Sequence, residues 1–265
     1  MNISGQIDSL IAGRKLHWRL DHALRGLART QGIFIDNTAG TDRRRSFIFC
    51  TSYVKDHPRY RRWLEYMEVR RKFFGAEAIF LVNDGPEGID FDGRVSLMRH
   101  DQLSRQYLRE LNLVWFDNRL GRPSMFCYPG WWRSFTFSVR IARKFGFDKI
   151  IHIESDAYVL SRRLVDYLRS INRGWTAMWS PTYAFPETSI QIICADAFPR
   201  LEEFASRGED FFRTSNRAAE FLLPFDKVDA KFKGERCGQL QRDRMPAHLD
   251  FIAQVPIDWA LHPDF

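Results

Sequence analysis

The sequence predicts an α/β fold: a mixed, mainly parallel sheet flanked by helices and preceded by a basic amphipathic helix. Three observations carry this expectation. From residue 46 onward, short apolar runs alternate with amphipathic helical stretches, the pattern of βαβ units. The 265 residues are 45% hydrophobic and 15% aromatic, which suits a real core and excludes a disordered chain. Turn formers follow the apolar runs, most densely at Asn83-Asp84-Gly85-Pro86.

Residues 8–30 set Leu16, Leu20, Ala23, Leu24 and Leu27 on one helical face and Lys15, Arg19, His22 and Arg29 on another. Such a helix can pack on its own domain, on a partner, or on an anionic membrane surface. Gly32, Asn37, Gly40 and the run Asp42-Arg43-Arg44-Arg45 read as a linker, so 1–45 stands apart from a single domain over 46–265.

Within that domain, Phe47-Ile48-Phe49-Cys50 is a strand ending in Thr51-Ser52, and His57-Pro58 opens a helix to about Phe74. Ala78 to Val82 is the second strand and Val95 to Met98 the third, followed by an expected helix from about Gln102 to Asn112. Residues 117–130 are irregular, and a loop of that length in an α/β domain is often functional. Trp131 to Phe145 is a helix stopped near Gly146. It leads to a fourth expected strand, Lys149 to Ile153, which runs into Glu154-Ser155-Asp156. Trp175 to Trp179 and Ser189 to Cys194 follow as strands, with a helix from about Pro199.

Several classes are excluded. No run approaches the roughly 18 apolar residues of a membrane span, and no secretory signal opens the chain. Cys50, Cys127, Cys194 and Cys237 are far apart and fit neither a disulfide framework nor a zinc site, so a cytoplasmic location is expected, with contact to the inner face of a membrane allowed. No GxxxxGKS, GxxxxGKT or GxGxxG follows a strand. Residues 51–62 lack the glycine-rich basic loop of a sugar-phosphate nucleotidyltransferase. The net charge of +7 divides unevenly: residues 1–145 hold 25 basic and 15 acidic side chains, a net of +10, and the remainder nets −3. A basic half facing an anionic partner is expected.

In an open α/β sheet, ligands bind at the carboxyl ends of strands, which here carry Thr51, Ser52, Asn83, Asp84, Glu154 and Asp156. On extended backbone Glu154 and Asp156 would point the same way. Two converging carboxylates call for a cation, and Mg²⁺ or Mn²⁺ shared with substrate phosphates is chemically apt.

The helix carrying an Arg, the apolar strand and the acidic-x-acidic triplet at its end resemble the core of GT-A-fold glycosyltransferases, with Glu154-Ser155-Asp156 similar to their DxD motif. The resemblance covers roughly residues 46–198. It implies a nucleotide-sugar-binding half (46–160) and an acceptor-binding half (161–265). It also implies Thr51 and Asp84 at the base and ribose, Asp156 on the metal bridging the donor diphosphate, Glu154 at the ribose, donor sugar or metal, and Arg133 aimed at the donor, with Arg140 second. Glu replaces the usual first Asp of the motif. For an inverting enzyme the resemblance asks for a base, with Glu220 first and Asp196 second. It also asks for a C-terminal metal ligand, His262 or His248. Trp179, Tyr183 and Phe185 offer flat faces to a sugar.

The function so implied is metal-dependent transfer of a sugar from a nucleotide-diphosphate sugar, a UDP-sugar foremost, to a saccharide or lipid-linked acceptor, as in cell-surface polysaccharide or glycolipid synthesis, with no nucleic acid as partner. The alternatives are a nucleic-acid or anionic-polymer binding protein and a glycosyltransferase-like domain that binds without catalysis.

Overall fold

Alternate residues of the first strand face opposite layers. Phe47 and Phe49 join one buried cluster and Ile48 and Cys50 another, so this strand is central and covered on both sides. The computed structural model describes residues 44–86, 90, 91, 93–237 and 248–256. Among these, the strands are β1 (Ser46–Ser52), β2 (Ala78–Asn83), β3 (Val95–Arg99), β4 (Leu111–Trp115), β5 (Lys149–Ile153), β6 (Tyr158–Val159), β7 (Trp175–Ser180), β8 (Phe185–Cys194), β9 (Lys227–Asp229), β10 (Gly234–Arg236) and β11 (Phe251–Ala253). The helices are α1 (His57–Phe74), α2 (Pro129–Phe145), α3 (Arg162–Ser170), α4 (Phe198–Ala205), α5 (Gly208–Thr214) and α6 (Ala219–Leu222).

Among the described residues, eight strands pair in the order β3-β4-β2-β1-β5-β8-β7-β9, and only β8 runs against the rest. This is the mixed, mainly parallel α/β sheet that the alternation of apolar runs predicts. A smaller sheet joins β10, β11 and β6. Helices α1 and α3 and the small sheet pack on one face of the large sheet; α2, α4 and α5 pack on the other. α2 starts on Pro129 and ends on Gly146, whose left-handed φ of 71° lets its N–H reach Ala142 O. Ser161 caps α3 through Leu164 N. The buried Lys149 ammonium donates to Leu168 O (2.6 Å), Arg169 O (3.0 Å) and Ile171 O (2.7 Å), tying the start of β5 to the end of α3.

One element departs from expectation. Residues 102–112 are not a helix: a short 3-10 turn at Arg105–Tyr107 leads into β4, which lies between β2 and β3. A strand buried on both faces lacks polar alternation and reads like a helical segment. Asn112, buried within β4, is satisfied by Arg109 N (2.9 Å), Arg109 O (2.6 Å) and Ile79 O (3.1 Å). The acidic triplet therefore follows the fifth strand of the sheet, not the fourth.

β10 lies against β11 closely enough that a Cβ on Gly234 would sit 1.8 Å from the buried Phe251 ring. Gly234→Ala should therefore lower stability by about 1–3 kcal/mol, the range for overpacking a filled core. A melting temperature equal to wild type would show that β10 yields freely.

Candidate functional site

The parallel register of β1 and β5 places Phe49 beside His152. Two residues further along each strand come Thr51 and Glu154, on the α2 side of the carboxyl edge. Thr51 Oγ1 donates to Glu154 at 2.9 Å (Oε1) and 2.8 Å (Oε2). Trp131, set in the first turn of α2 by Pro129, donates its indole N–H to Glu154 Oε1. His152 Nε2 lies 3.0 Å from the same oxygen.

His152 is fully buried, with Phe49 and Phe135 ring centroids at 4.6 Å and 5.0 Å. Its tautomer follows from its neighbours. The Trp175 indole can only donate, so it takes Gln191 Oε1 (2.8 Å), and Gln191 Nε2 then faces Thr188 O (2.6 Å) and His152 Nδ1 (3.3 Å). Nδ1 is thereby the acceptor, and the ring hydrogen sits on Nε2, toward Glu154.

The triplet itself corrects an expectation. β5 ends at Ile153, and residues 154–157 form a turn closed by Ala157 N to Glu154 O at 3.0 Å. Strand alternation therefore does not aim the two carboxylates together. Glu154 is enclosed by donors on the α2 side. Asp156 instead shares its surroundings with Tyr158, Cys50, Cys237 and Arg62, and its backbone O accepts from Val255 N at 3.0 Å. Burial first, then the charges of Glu154 and Glu187, push the Asp156 carboxyl from 3.8 up to about 7, although the residue keeps some exposure to solvent.

Asp84 and Arg133 are brought together, as partners of each other. The Arg133 guanidinium donates to Asp84 Oδ1 (2.5 Å), Asn118 Oδ1 (2.8 Å) and Asn118 O (2.6 Å), and lies 4.0 Å over the Phe116 ring. Asp84 also accepts from Leu120 N (3.3 Å) and Gly121 N (2.7 Å), so this buried pair pins loop 117–130 to the end of β2. A Cβ on Gly130 would fall 2.0 Å from Asp84 Oδ2, which requires glycine there. Arg140 lies on the exposed side of α2 over Phe137.

In the third group the sequence reading named Glu220 and missed its partners, Glu187 and Arg236. Because β8 starts at the carboxyl edge and runs back, its first residues face the site. Glu187 is buried, accepts from Ser189 N (2.9 Å), and pairs with Arg236 of β10 through Nε (2.5 Å) and Nη2 (3.1 Å). Arg236 Nη2 also donates to Glu220 Oε1 at 2.6 Å, and Thr188 Oγ1 reaches that oxygen at 3.4 Å. Burial opposes the charged guanidinium, yet the two carboxylates outweigh it and hold Arg236 above its ordinary pKa. Arg236 also lies over the rings of Tyr183 (5.5 Å) and Phe185 (4.7 Å).

The same reversal of β8 removes Asp196 from the site. Cys194 pairs with Lys149 at the start of β5, so Asp196 lies at the opposite edge, accepting from Gly174 N at 2.9 Å. Phe185 begins β8, and Trp179 belongs to β7 as expected. His248 is exposed in the bend before β11 with a φ of 61°. His262 and residues 8–30 lie outside the described residues. Among the described residues, no three His, Cys, Asp or Glu side chains form a ready metal cage. The residues present fit a hard cation in a narrower way: one carboxylate, Asp156, in a negative surround, with the remaining ligands left to substrate phosphates and water.

No family model matches the chain, and no curated protein matches it. Among solved structures it is similar to a glycosyltransferase involved in glycosylation of the major capsid of PBCV-1, at 11% identity over 79% of this chain and 92% of that one, with a TM-score of 0.47. It is also similar to the mannosyltransferase PcManGT from Pyrobaculum calidifontis in complex with GDP-Man and Mn²⁺, at 10% identity over 74% and 56% of the two chains, TM-score 0.39. A third likeness is to GalNAc-T7 with UDP, GalNAc and Mn²⁺, at 12% identity over 52% and 23%, TM-score 0.32. Among the described residues, no helix is long and apolar enough to cross a membrane.

The Asp156 environment sets a pH dependence. A carboxyl raised from 3.8 to about 7 holds a proton in the folded state that the unfolded chain has lost, so its contribution to stability is present below 3.8 and disappears as pH rises through 7. In metal-free buffer, the melting temperature of wild type should fall relative to Asp156→Asn between about pH 4 and pH 8. Parallel curves for the two proteins would remove Asp156 as the titrating group.

Proposed function

We propose that this chain transfers a sugar from a nucleotide-diphosphate sugar to a hydroxyl acceptor, with the donor at the carboxyl edge of β1, β2 and β5. The observation that carries this reading is the set of buried and half-buried carboxylates at that edge. Glu154 is supplied with donors, Glu187 and Glu220 share Arg236, and Asp156 alone is left in a negative potential that favours its protonation. Such an imbalance favours a cation. A divalent cation bound at Asp156, Mn²⁺ or Mg²⁺, would supply charge neutralisation for the diphosphate leaving group.

The remaining work falls to the side chains. Glu154, held by Thr51 and Trp131, is rigid enough to accept hydrogen bonds from donor hydroxyls rather than to ligate the cation. Asp84 and Arg133 hold loop 117–130 as a wall beside the donor. Glu220, at the start of α6, is the base we favour: an acceptor hydroxyl attacks the anomeric carbon, the bond from that carbon to the diphosphate oxygen breaks with its electron pair leaving on the diphosphate, and Glu220 takes the hydroxyl proton. Arg236 keeps Glu220 in place and partly offsets its charge. Tyr183 and Phe185 lie beside this group and suit the faces of a sugar ring. Among donors a UDP-sugar comes first and a saccharide or lipid-linked glycan is the acceptor, consistent with surface polysaccharide or glycolipid synthesis at the cytoplasmic side of a membrane.

Thermal-shift titration with UDP- and GDP-sugars, with and without Mn²⁺, tests the donor site, since a ligand that binds the folded state raises the melting temperature. A shift that depends on Mn²⁺ is expected. Asp156→Ala should remove that metal-dependent shift and all metal-dependent donor turnover while melting at or above wild type at pH 8. Full turnover in Asp156→Ala would sink the assignment. Glu220→Gln should leave the donor shift intact and lower turnover about 10²–10⁴-fold, the usual contribution of a positioned base.

A further inference from the structure

Loop 117–130 has a second property that the donor site does not use. At its tip Met125 is 69% exposed and the adjacent Phe126 is 37% exposed. This tip is held firmly. Ser124 and Cys127 exchange backbone hydrogen bonds (3.2 and 3.3 Å), and Arg122 donates to Ser124 O (3.3 Å) and Met125 O (3.0 Å). Gly130 N closes the loop base on Gly121 O at 3.1 Å. The Ser124 and Cys127 backbone groups and the Met125 carbonyl are thus bonded within the loop, and the two apolar side chains are exposed.

The charge around the tip has one sign in excess. Arg119 and Arg122 are exposed within the loop. Cys127 Sγ and the Tyr128 hydroxyl donate to the backbone carbonyls of Arg213 (3.3 Å) and Arg217 (3.4 Å), which brings two more exposed arginines alongside. Arg213 is paired with Glu209, and Asp117, 3.9 Å from an Arg99 already held by Asp101, offsets part of the charge, which leaves Arg122, Arg217 and Arg119, the last lying 3.7 Å over the Tyr53 ring, in excess.

We infer that residues 121–127 dock on an anionic membrane surface, with Met125 and Phe126 entering the boundary between headgroups and acyl chains and the three arginines lying against lipid phosphates. Two adjacent apolar side chains on one tip are far fewer than the roughly 20–30 residues a side of a stable protein interface. A small apolar insert ringed by arginine is instead what a lipid interface accepts. The Tyr128 hydroxyl accepts from Ala219 N at 2.6 Å, beside Glu220, so a docked tip would hold the Glu220 side of the site near the lipid surface. This inference stands whether or not the site transfers sugars.

Co-sedimentation of the full chain with vesicles of phosphatidylcholine alone, and of one part phosphatidylserine to two parts phosphatidylcholine, tests it. Wild type should bind the phosphatidylserine vesicles and lose binding as salt is added. The double variant Met125→Ser/Phe126→Ser should bind at least about tenfold more weakly, and Arg217→Gln about fivefold more weakly. Both should melt with wild type, because the altered side chains are exposed. Phe126→Trp, which preserves an interfacial anchor, should bind at least as well as wild type. The inference fails if wild type does not sediment, if phosphatidylserine makes no difference, or if the double variant binds like wild type, which would assign the binding to residues outside this loop, such as 8–30.

Discussion

The carboxyl edge of this protein is organised around the need to satisfy one half-buried carboxylate, that of Glu154. Taking such a group out of water costs several kcal/mol unless donors replace the lost solvent. The donors come from separate elements, the Thr51 hydroxyl from β1 and the Trp131 indole from α2, and the His152 ring of β5 lies beside them. Each arrives only if its element is in register. The Phe49 and His152 pairing sets Thr51 opposite Glu154, and the Pro129 start of α2 delivers Trp131. Behind them, Trp175 and Gln191 fix the histidine ring, so the central strands and α2 are joined through polar contacts as well as through apolar packing.

That arrangement leaves the neighbouring charges unequal. Glu187 and Glu220 have one guanidinium between them, Arg62 is engaged with the Val255 and Pro256 carbonyls, and Asp156 lies within the resulting negative field. The excess is relieved either by a proton or by a cation, and the two compete for the same oxygens.

Much of the chain from 46 to 153 was legible because its signals are local. The apolar run 47–50, the Pro58 helix start and the Gly146 stop each lie within a few residues of what they determine. Thr51, Asp84 and Glu154 were singled out by their place at strand ends and Arg133 by its place on the helix before the acidic triplet, though not as the pairs Thr51–Glu154 and Asp84–Arg133, whose members are 103 and 49 residues apart. β4 was lost because a doubly buried strand has no alternation to read. Glu187 and Arg236 were lost because the direction of β8 is not written in its own residues. The same gap placed Asp196 at the wrong edge. His152, a polar residue set between isoleucines in β5, was a local signal left unread.

The reversed β8 separates two kinds of change that the protein could undergo. Its connection to β7 is a tight turn of residues 181–184 at the carboxyl edge, closed by Ala184 N on Ser180 O at 2.8 Å. Residues added there would lengthen the wall that carries Tyr183 and Phe185 without moving β1, β2 or β5. A change confined to this one hairpin would thus reshape the surface around Tyr183 and Phe185 while the strand ends that carry Thr51, Asp84 and Glu154 stay as they are.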